Sequence, residues 1–259
     1  MAPSAQDRHV ETVGRGRLRV VALVGIDGSG KTTQGHRLAA ALNRAGVAST
    51  YYRNAGGRRW FGRAARRLGR PDAQRLLGRT GLLLAESVLR WLAIARALVR
   101  SVIRRRLAVM DRYAVDQYAS IQVHSGGRRL ERLARFFYRP FPEPEVTFLL
   151  SVDPAEAYRR IGIRGTDHES MEYLNAADAA YRSLPEHGTF VVIDANRTPE
   201  EVTAQIAVYL RPWLTPEPPA APTTRRPEPA PTGPPEPAPP STPAPPPPMV
   251  LSRSARSRW

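Results

Sequence analysis

The 259 residues contain no cysteine. That excludes a disulfide framework and any thiolate metal centre, and it fits a reducing compartment. Lysine is nearly as scarce: of 39 lysine and arginine residues, only Lys31 is a lysine. Aromatic residues make up 7%, and they are not interleaved with the arginines as stacking platforms. The formal charge of +16 therefore reads as a compositional bias rather than a nucleic-acid surface. Long uncharged apolar runs are missing too. The greasiest stretch, Leu82 to Val99, is interrupted by Glu86, Arg90 and Arg96, so it is not a membrane span. The first twenty residues have no apolar core of signal-peptide length. Together these absences predict a cytoplasmic protein.

What is present is an alternation of short apolar runs and helical periods. Strands are predicted at Leu18 to Val24, Ala48 to Tyr52, Leu107 to Met110, Val146 to Val152 and Thr189 to Ile193. Helices are predicted at Thr32 to Ala45, Pro71 to about Arg106, Val115 to Val123, Leu130 to Tyr138, from Pro154, at Ser170 to Leu184, and at Pro199 to Leu210. In the long second helix, Glu86, Arg90, Arg96, Arg100 and Arg104 are read as one charged, solvated side. This order gives a three-layer α/β fold, with a mostly parallel five-stranded sheet and helices on both faces. Chemistry is then expected at the carboxyl ends of the strands. Residues 1–16 read as a polar leader and 17–212 as the folded domain. Residues 213–259, dominated by Pro, Ala, Glu and Thr, read as a disordered tail whose partner the sequence does not name.

Gly25-Ile26-Asp27-Gly28-Ser29-Gly30-Lys31-Thr32 fits G-x4-G-K-[ST] without a mismatch, between a strand and a helix. Glycines let successive N–H groups point into one concavity for phosphate oxygens, and the helix N-terminus adds positive partial charge. Lys31 reaches the β- and γ-phosphates as a compact point charge, Thr32 offers a hydroxyl to Mg²⁺, and Thr33 follows in the first turn. The implied cofactors are ATP and Mg²⁺. A second anchor for Mg²⁺ belongs on a neighbouring strand, and Asp111 ends one, followed by Arg112 and Tyr113.

With these residues in place, the chain resembles thymidylate kinases over roughly residues 17–211. GIDGSGKTTQ is similar to the family's phosphate loop, whose acid, here Asp27, contacts the acceptor 3′-hydroxyl. RNAGG from Arg53 is similar to the family's REPGG, whose arginine holds the acceptor phosphate. The DRY triplet at Asp111 matches as well. The resemblance implies a base contact from Arg90, a base pocket near Tyr113, Tyr118 and Gln122, a lid arginine supplied by Arg160 or Arg164, and an adenine-side loop at Asp194. It also implies ATP-dependent phosphorylation of a nucleoside 5′-monophosphate, dTMP to dTDP, with Lys31, Arg112 and the lid arginine as catalytic charges.

The chain departs from the family pattern in three places. Leu23-Val24 replaces Phe-Glu before the loop, RNAGG lacks the acid and proline of REPGG, and His168 stands where many relatives carry a lid arginine. Two rival readings follow. One is a P-loop kinase of another nucleoside or metabolite. The other is a catalytically weakened ATP-binding regulatory protein that recruits partners through its tail. A homodimer is compatible with the sequence.

Overall fold

The computed structural model describes residues 18–54, 73–125, 128–165 and 169–214. The leader, the tail from residue 215, the glycines of RNAGG, Pro71 and His168 lie outside the described residues.

Five parallel strands form one sheet in the order β2-β3-β1-β4-β5, with helices on both faces. β1 (Val20–Val24) and β3 (Leu107–Asp111) are buried at every position. Such continuous apolar runs are what a parallel strand covered on both faces requires. β2 (Ser49–Arg53) lies outside β3, and β4 (Val146–Ser151) and β5 (Val191–Asp194) lie on the other side of β1. The helices are α1 (Lys31–Arg44), α2 (Ala73–Arg104), α3 (Ala114–Ser125), α4 (Arg128–Tyr138), α5 (Pro154–Arg164), α6 (Met171–Ser183) and α7 (Pro199–Leu214).

Local chemistry sets several boundaries. Asp153 caps α5 by accepting from Ala155 N–H at 2.7 Å, with Pro154 in the first turn, and Gly165 ends the helix at φ 60°. Ser170 caps α6 through Tyr173 N–H at 3.2 Å. Gln34 of α1 donates to Pro199 O at 2.8 Å and accepts from Thr203 Oγ1 at 2.8 Å, pinning α7 to α1. Among the described residues, no helix is long and apolar enough to cross a membrane.

Three expectations need correction. Thr189 is not in the last strand: Pro185–Thr189 forms a 3₁₀ turn, and pairing with β4 begins at Phe148↔Val191. The long helix is interrupted at Gly78, whose φ of 70° and ψ of 169° only glycine adopts readily. The charged side of α2 also divides. Glu86 (1% exposed) and Arg90 (5%) fall in register with Leu83, Ile94, Ala97 and Ser101, all of them buried, while Arg96, Arg100 and Arg104 point to solvent. The 3.6-residue period puts 86 and 90 on the core stripe.

Candidate active site

Sheet register assembles the site. Asp111 stands opposite Leu23 of β1 on one side and Arg53 of β2 on the other. The phosphate loop therefore leaves β1 one residue beyond Asp111, with Arg53 on the far side of that carboxylate.

Packing around the loop makes Gly25 and Gly28 obligatory, whereas Gly30, at φ 91°, is required by its backbone conformation alone. A Cβ on Gly25 (φ 137°) would stand 2.8 Å from Leu150 O, and one on Gly28 (φ 85°) 2.6 Å from Ala157 O. Gly30 caps α1 with no side-chain bond, which leaves first-turn N–H groups directed at the loop. Lys31 is only 5% exposed and folds over the loop, donating to Ile26 O at 2.6 Å and Ser29 Oγ at 3.2 Å. Burial, and then the nearby Arg112 guanidinium, push its pKa down to about 8, against the attraction of Asp27, Asp111 and Asp116.

Thr32, in the first turn of α1, donates its hydroxyl to Asp111 Oδ2 at 2.7 Å. Tyr51, a residue that sequence reasoning missed, donates to the same oxygen at 2.8 Å. Arg112 follows Asp111 with φ 75°, a left-handed conformation that strains any residue bearing a Cβ. Two bonds hold it there. Its N–H donates to Leu23 O at 3.0 Å, and its carbonyl accepts from Asn54 Nδ2 at 2.8 Å. The turn aims the guanidinium at Asp27, and the two form an ion pair. Burial works against that charge, but Asp27, Asp116 and the other anionic neighbours outweigh it and raise its pKa.

These groups open into one cleft of about 300 Å³. Its lining includes Gly25 to Gly28 and Gly30 to Thr33, together with Arg53, Asp111 and Arg112, while Ser29 is buried and outside it. Arg164, at the end of α5, also lines it, as do Glu86 and Arg90 of α2. Arg90 Nε and Nη1 have no hydrogen-bond partner among the described residues, although the side chain is buried. Opposite, Asp116 of α3 accepts from Tyr113 N–H and Tyr181 O–H, each at 2.7 Å, tying α6 to α3 at the cleft wall. Burial and the Asp116 charge push the Tyr181 hydroxyl's pKa well up.

Several residues expected in the site lie elsewhere. The Tyr113 hydroxyl donates to Pro142 O at 2.7 Å, on the side of α3 away from the cleft. Tyr118 is buried against Tyr138, under the Arg135 guanidinium. Gln122 donates to Glu131 and accepts from Ser183, bracing three helices. The reason is periodicity: α3 presents 116, 119 and 120 to the cleft, so 118 and 122 face its neighbours. Arg160 donates to Glu156 and to Ala195 O at 3.0 Å, outside the lining. Asp194 is exposed and accepts from Asn196 and Arg197, so it too stands apart.

The cleft also contains residues that sequence reasoning did not single out: Glu86, Asp116 and Tyr181, with Asn54 behind it. Asp116 carried a usable signal, an acid in the first turn of the helix after DRY. Tyr181 carried none, because its partner lies 65 positions away.

The oxygen donors suit a hard cation brought by a nucleotide. Among the described residues no three His, Cys, Asp or Glu side chains converge into a metal site of their own. A Thr hydroxyl oriented by a carboxylate beside a phosphate loop is instead the donor set that Mg²⁺ takes together with phosphate oxygens.

Comparison with known proteins agrees with this geometry. The family model described as thymidylate kinase matches residues 23–206. A thymidylate kinase of Halorhodospira halophila is 30% identical over 198 residues, covering 72% of this chain and 90% of that protein. One from Dinoroseobacter shibae is 30% identical over 204 residues, 74% of this chain and 96% of that protein. One from Fervidobacterium nodosum is 28% identical over 207 residues, 75% and 99% respectively. The phosphate loop, the register that sets Asp111 between Leu23 and Arg53, and these likenesses lead to one conclusion: the chain belongs to the thymidylate kinase family.

Proposed function

We propose that this chain transfers the γ-phosphoryl group of ATP to the 5′-phosphate of a nucleoside monophosphate, with dTMP as the acceptor and dTDP as the product. The observation that carries the reading is the convergence of Lys31, Thr32, Asp111, Arg112 and Arg53 on one cleft.

An acceptor phosphate oxygen attacks the γ-phosphorus while the bond to the ADP oxygen breaks. The acceptor is already largely ionised at neutral pH, its second pKa being about 6, so no side chain has to remove a proton. The protein's work is alignment and charge neutralisation. The loop amides and Lys31 hold the donor phosphates. Arg53 and Arg112 grip the acceptor phosphate, with Asp27 holding the Arg112 guanidinium in place. Arg164 approaches from the end of α5, and Arg90 supplies buried donors to the acceptor base. Thr32 and Asp111 are the residues that would hold Mg²⁺, which would supply further charge neutralisation to the donor phosphates.

The proposal extends to a homodimer. Leu84, Val88 and Leu92 of α2 and Leu133, Phe136 and Phe137 of α4 are 47–67% exposed. Such a row of large apolar side chains suits a self-complementary seam. Light scattering on the purified chain tests it, a monomer at micromolar concentration counting against the seam.

The decisive assay couples ADP release to a readout, with ATP, Mg²⁺ and dTMP, dUMP, dCMP, AMP or GMP in turn. Turnover is expected with dTMP first. Absence of turnover with every acceptor overturns the reading.

A further inference from the structure

Tyr51 lies at the centre of a small, over-determined arrangement. Residues 49 and 51 of β2 face α1: Ser49 Oγ donates to Ala39 O at 2.9 Å, and the Tyr51 ring stacks on His36 with centroids 3.9 Å apart. The ring also lies directly on the helix backbone at Gly35. A Cβ there would stand 2.6 Å from Tyr51 Cε2 and 2.8 Å from Cδ2. Only a residue without a side chain lets the ring sit this close. Held between strand and helix, the ring has one place for its hydroxyl, and that hydroxyl meets Asp111 Oδ2 at 2.8 Å.

The Thr32 hydroxyl donates to that same oxygen at 2.7 Å. Two donors on one carboxylate oxygen, arriving from β2 and from α1, fix the rotation of the carboxylate about its Cβ–Cγ bond. They also fix the Thr32 hydroxyl proton on Asp111, so the lone pairs of Thr32 are turned elsewhere. With the Tyr51 bond removed, the carboxylate is free to turn and the Thr32 hydroxyl loses its fixed partner.

We infer that Tyr51 is a positioning residue of the donor half of the site. Through Asp111 it orients the Thr32 hydroxyl toward a divalent cation carried by the nucleotide, and Gly35 is the seat that makes this possible. The inference rests on the nucleotide-kinase reading above. It predicts an effect on metal-dependent nucleotide affinity and none on the phosphate loop itself, since Tyr51 does not line the cleft.

The test is calorimetric titration of ADP into the full chain, with and without Mg²⁺, for the wild type, Tyr51→Phe, Gly35→Ala and the double variant. Phe keeps the ring and its packing. In Tyr51→Phe, affinity for metal-free ADP is expected near the wild-type value, while the gain conferred by Mg²⁺ shrinks about tenfold, as befits one lost hydrogen bond to a charged group. Gly35→Ala pushes the ring from the helix side and is expected to give the same selective loss with the hydroxyl still present. The double variant is expected to be no worse than either single one. A full Mg²⁺ gain in Tyr51→Phe overturns the inference. So does an equal loss of metal-free affinity, which would mark Tyr51 as merely structural, and so does additivity in the double variant. A wild-type chain that gains nothing from Mg²⁺ overturns the kinase reading itself.

Discussion

The side-chain amide of Asn54 donates to the main-chain carbonyl of Arg112 at 2.8 Å and so clamps the one residue of the site held at a φ of 75°. Where the family's REPGG carries an acid, this chain carries the donor that the carbonyl needs. Asn54 is 1% exposed, so water does not substitute for it. Asn54→Ala leaves a buried carbonyl unpaired and is expected to cost about 1–3 kcal/mol of stability. Arg112 is then free to leave its left-handed conformation. We expect a lower Tm, and an acceptor KM raised about tenfold with the ATP KM little changed. Asn54→Asp, which restores an acid but removes the donor, is expected to be at least as damaging. Steady-state kinetics with each substrate varied, alongside thermal melts, check both.

Lys31 makes nucleotide affinity depend on pH in a defined direction. With a pKa pushed down to about 8 in the empty site, it must take up a proton to meet triphosphate at higher pH. ATP affinity is therefore expected to be flat below pH 8 and to fall above it, approaching tenfold per pH unit. Stability of the empty protein runs the other way. Between pH 8 and the ordinary lysine value of 10.5, the unfolded chain keeps a proton that the folded chain has lost, so this group's contribution rises with pH. Below pH 8 it is constant, with the cost of the buried charge fully present. Titration calorimetry at several pH values reads the first effect, and Lys31→Met is expected to abolish it. Lys31→Ala is expected to fold normally and lose on the order of 10³ in turnover.

Arg90 should trade stability for function. Two of its nitrogens are buried without partners among the described residues, an arrangement that costs free energy until a ligand satisfies it. Arg90→Met, of similar length and no charge, is expected to raise the Tm of the empty protein while raising the acceptor KM about tenfold or more. A Tm that falls, with KM unchanged, would place Arg90 in the scaffold.

The two α5 arginines are expected to separate. Arg164 lines the cleft, whereas Arg160 braces α5 to Ala195 and Glu156. Arg164→Ala is expected to lower kcat by about 10² or more, as removal of a transition-state charge does. Arg160→Ala is expected to reduce stability with kcat within a few-fold. Equal losses in kcat would contradict this division.

The parts legible in the sequence were those encoded locally. The β1 run and the spacing of Gly25, Gly28 and Gly30 specify strand, turn and helix within about a dozen residues, and Asp111 could be read from the end of its own strand. What escaped depends on contacts between distant segments. Tyr51 reads as an ordinary strand aromatic until register sets it beside Asp111. Asn54 reads as a lost acid until Arg112's carbonyl is seen above it. Arg90 reads as a solvated arginine because charge dominates its residue type, although its helical phase matches Ile94 and Ala97. Tyr113, Tyr118 and Gln122 are placed near the pocket by the family resemblance alone, and none of them lines the cleft: Tyr113 stands just before α3, and the turn of α3 carries Tyr118 and Gln122 away.

The fold of Lys31 over the phosphate loop gives the molecule a built-in chemical reporter. These 259 residues offer an acylating reagent one side-chain amine, and its lowered pKa makes that amine nucleophilic in mildly alkaline buffer. An increment mapped to the Lys31 peptide, and so told apart from one on the α-amine, would therefore report free sites, and protection of that peptide would footprint a bound nucleotide without any label on the ligand.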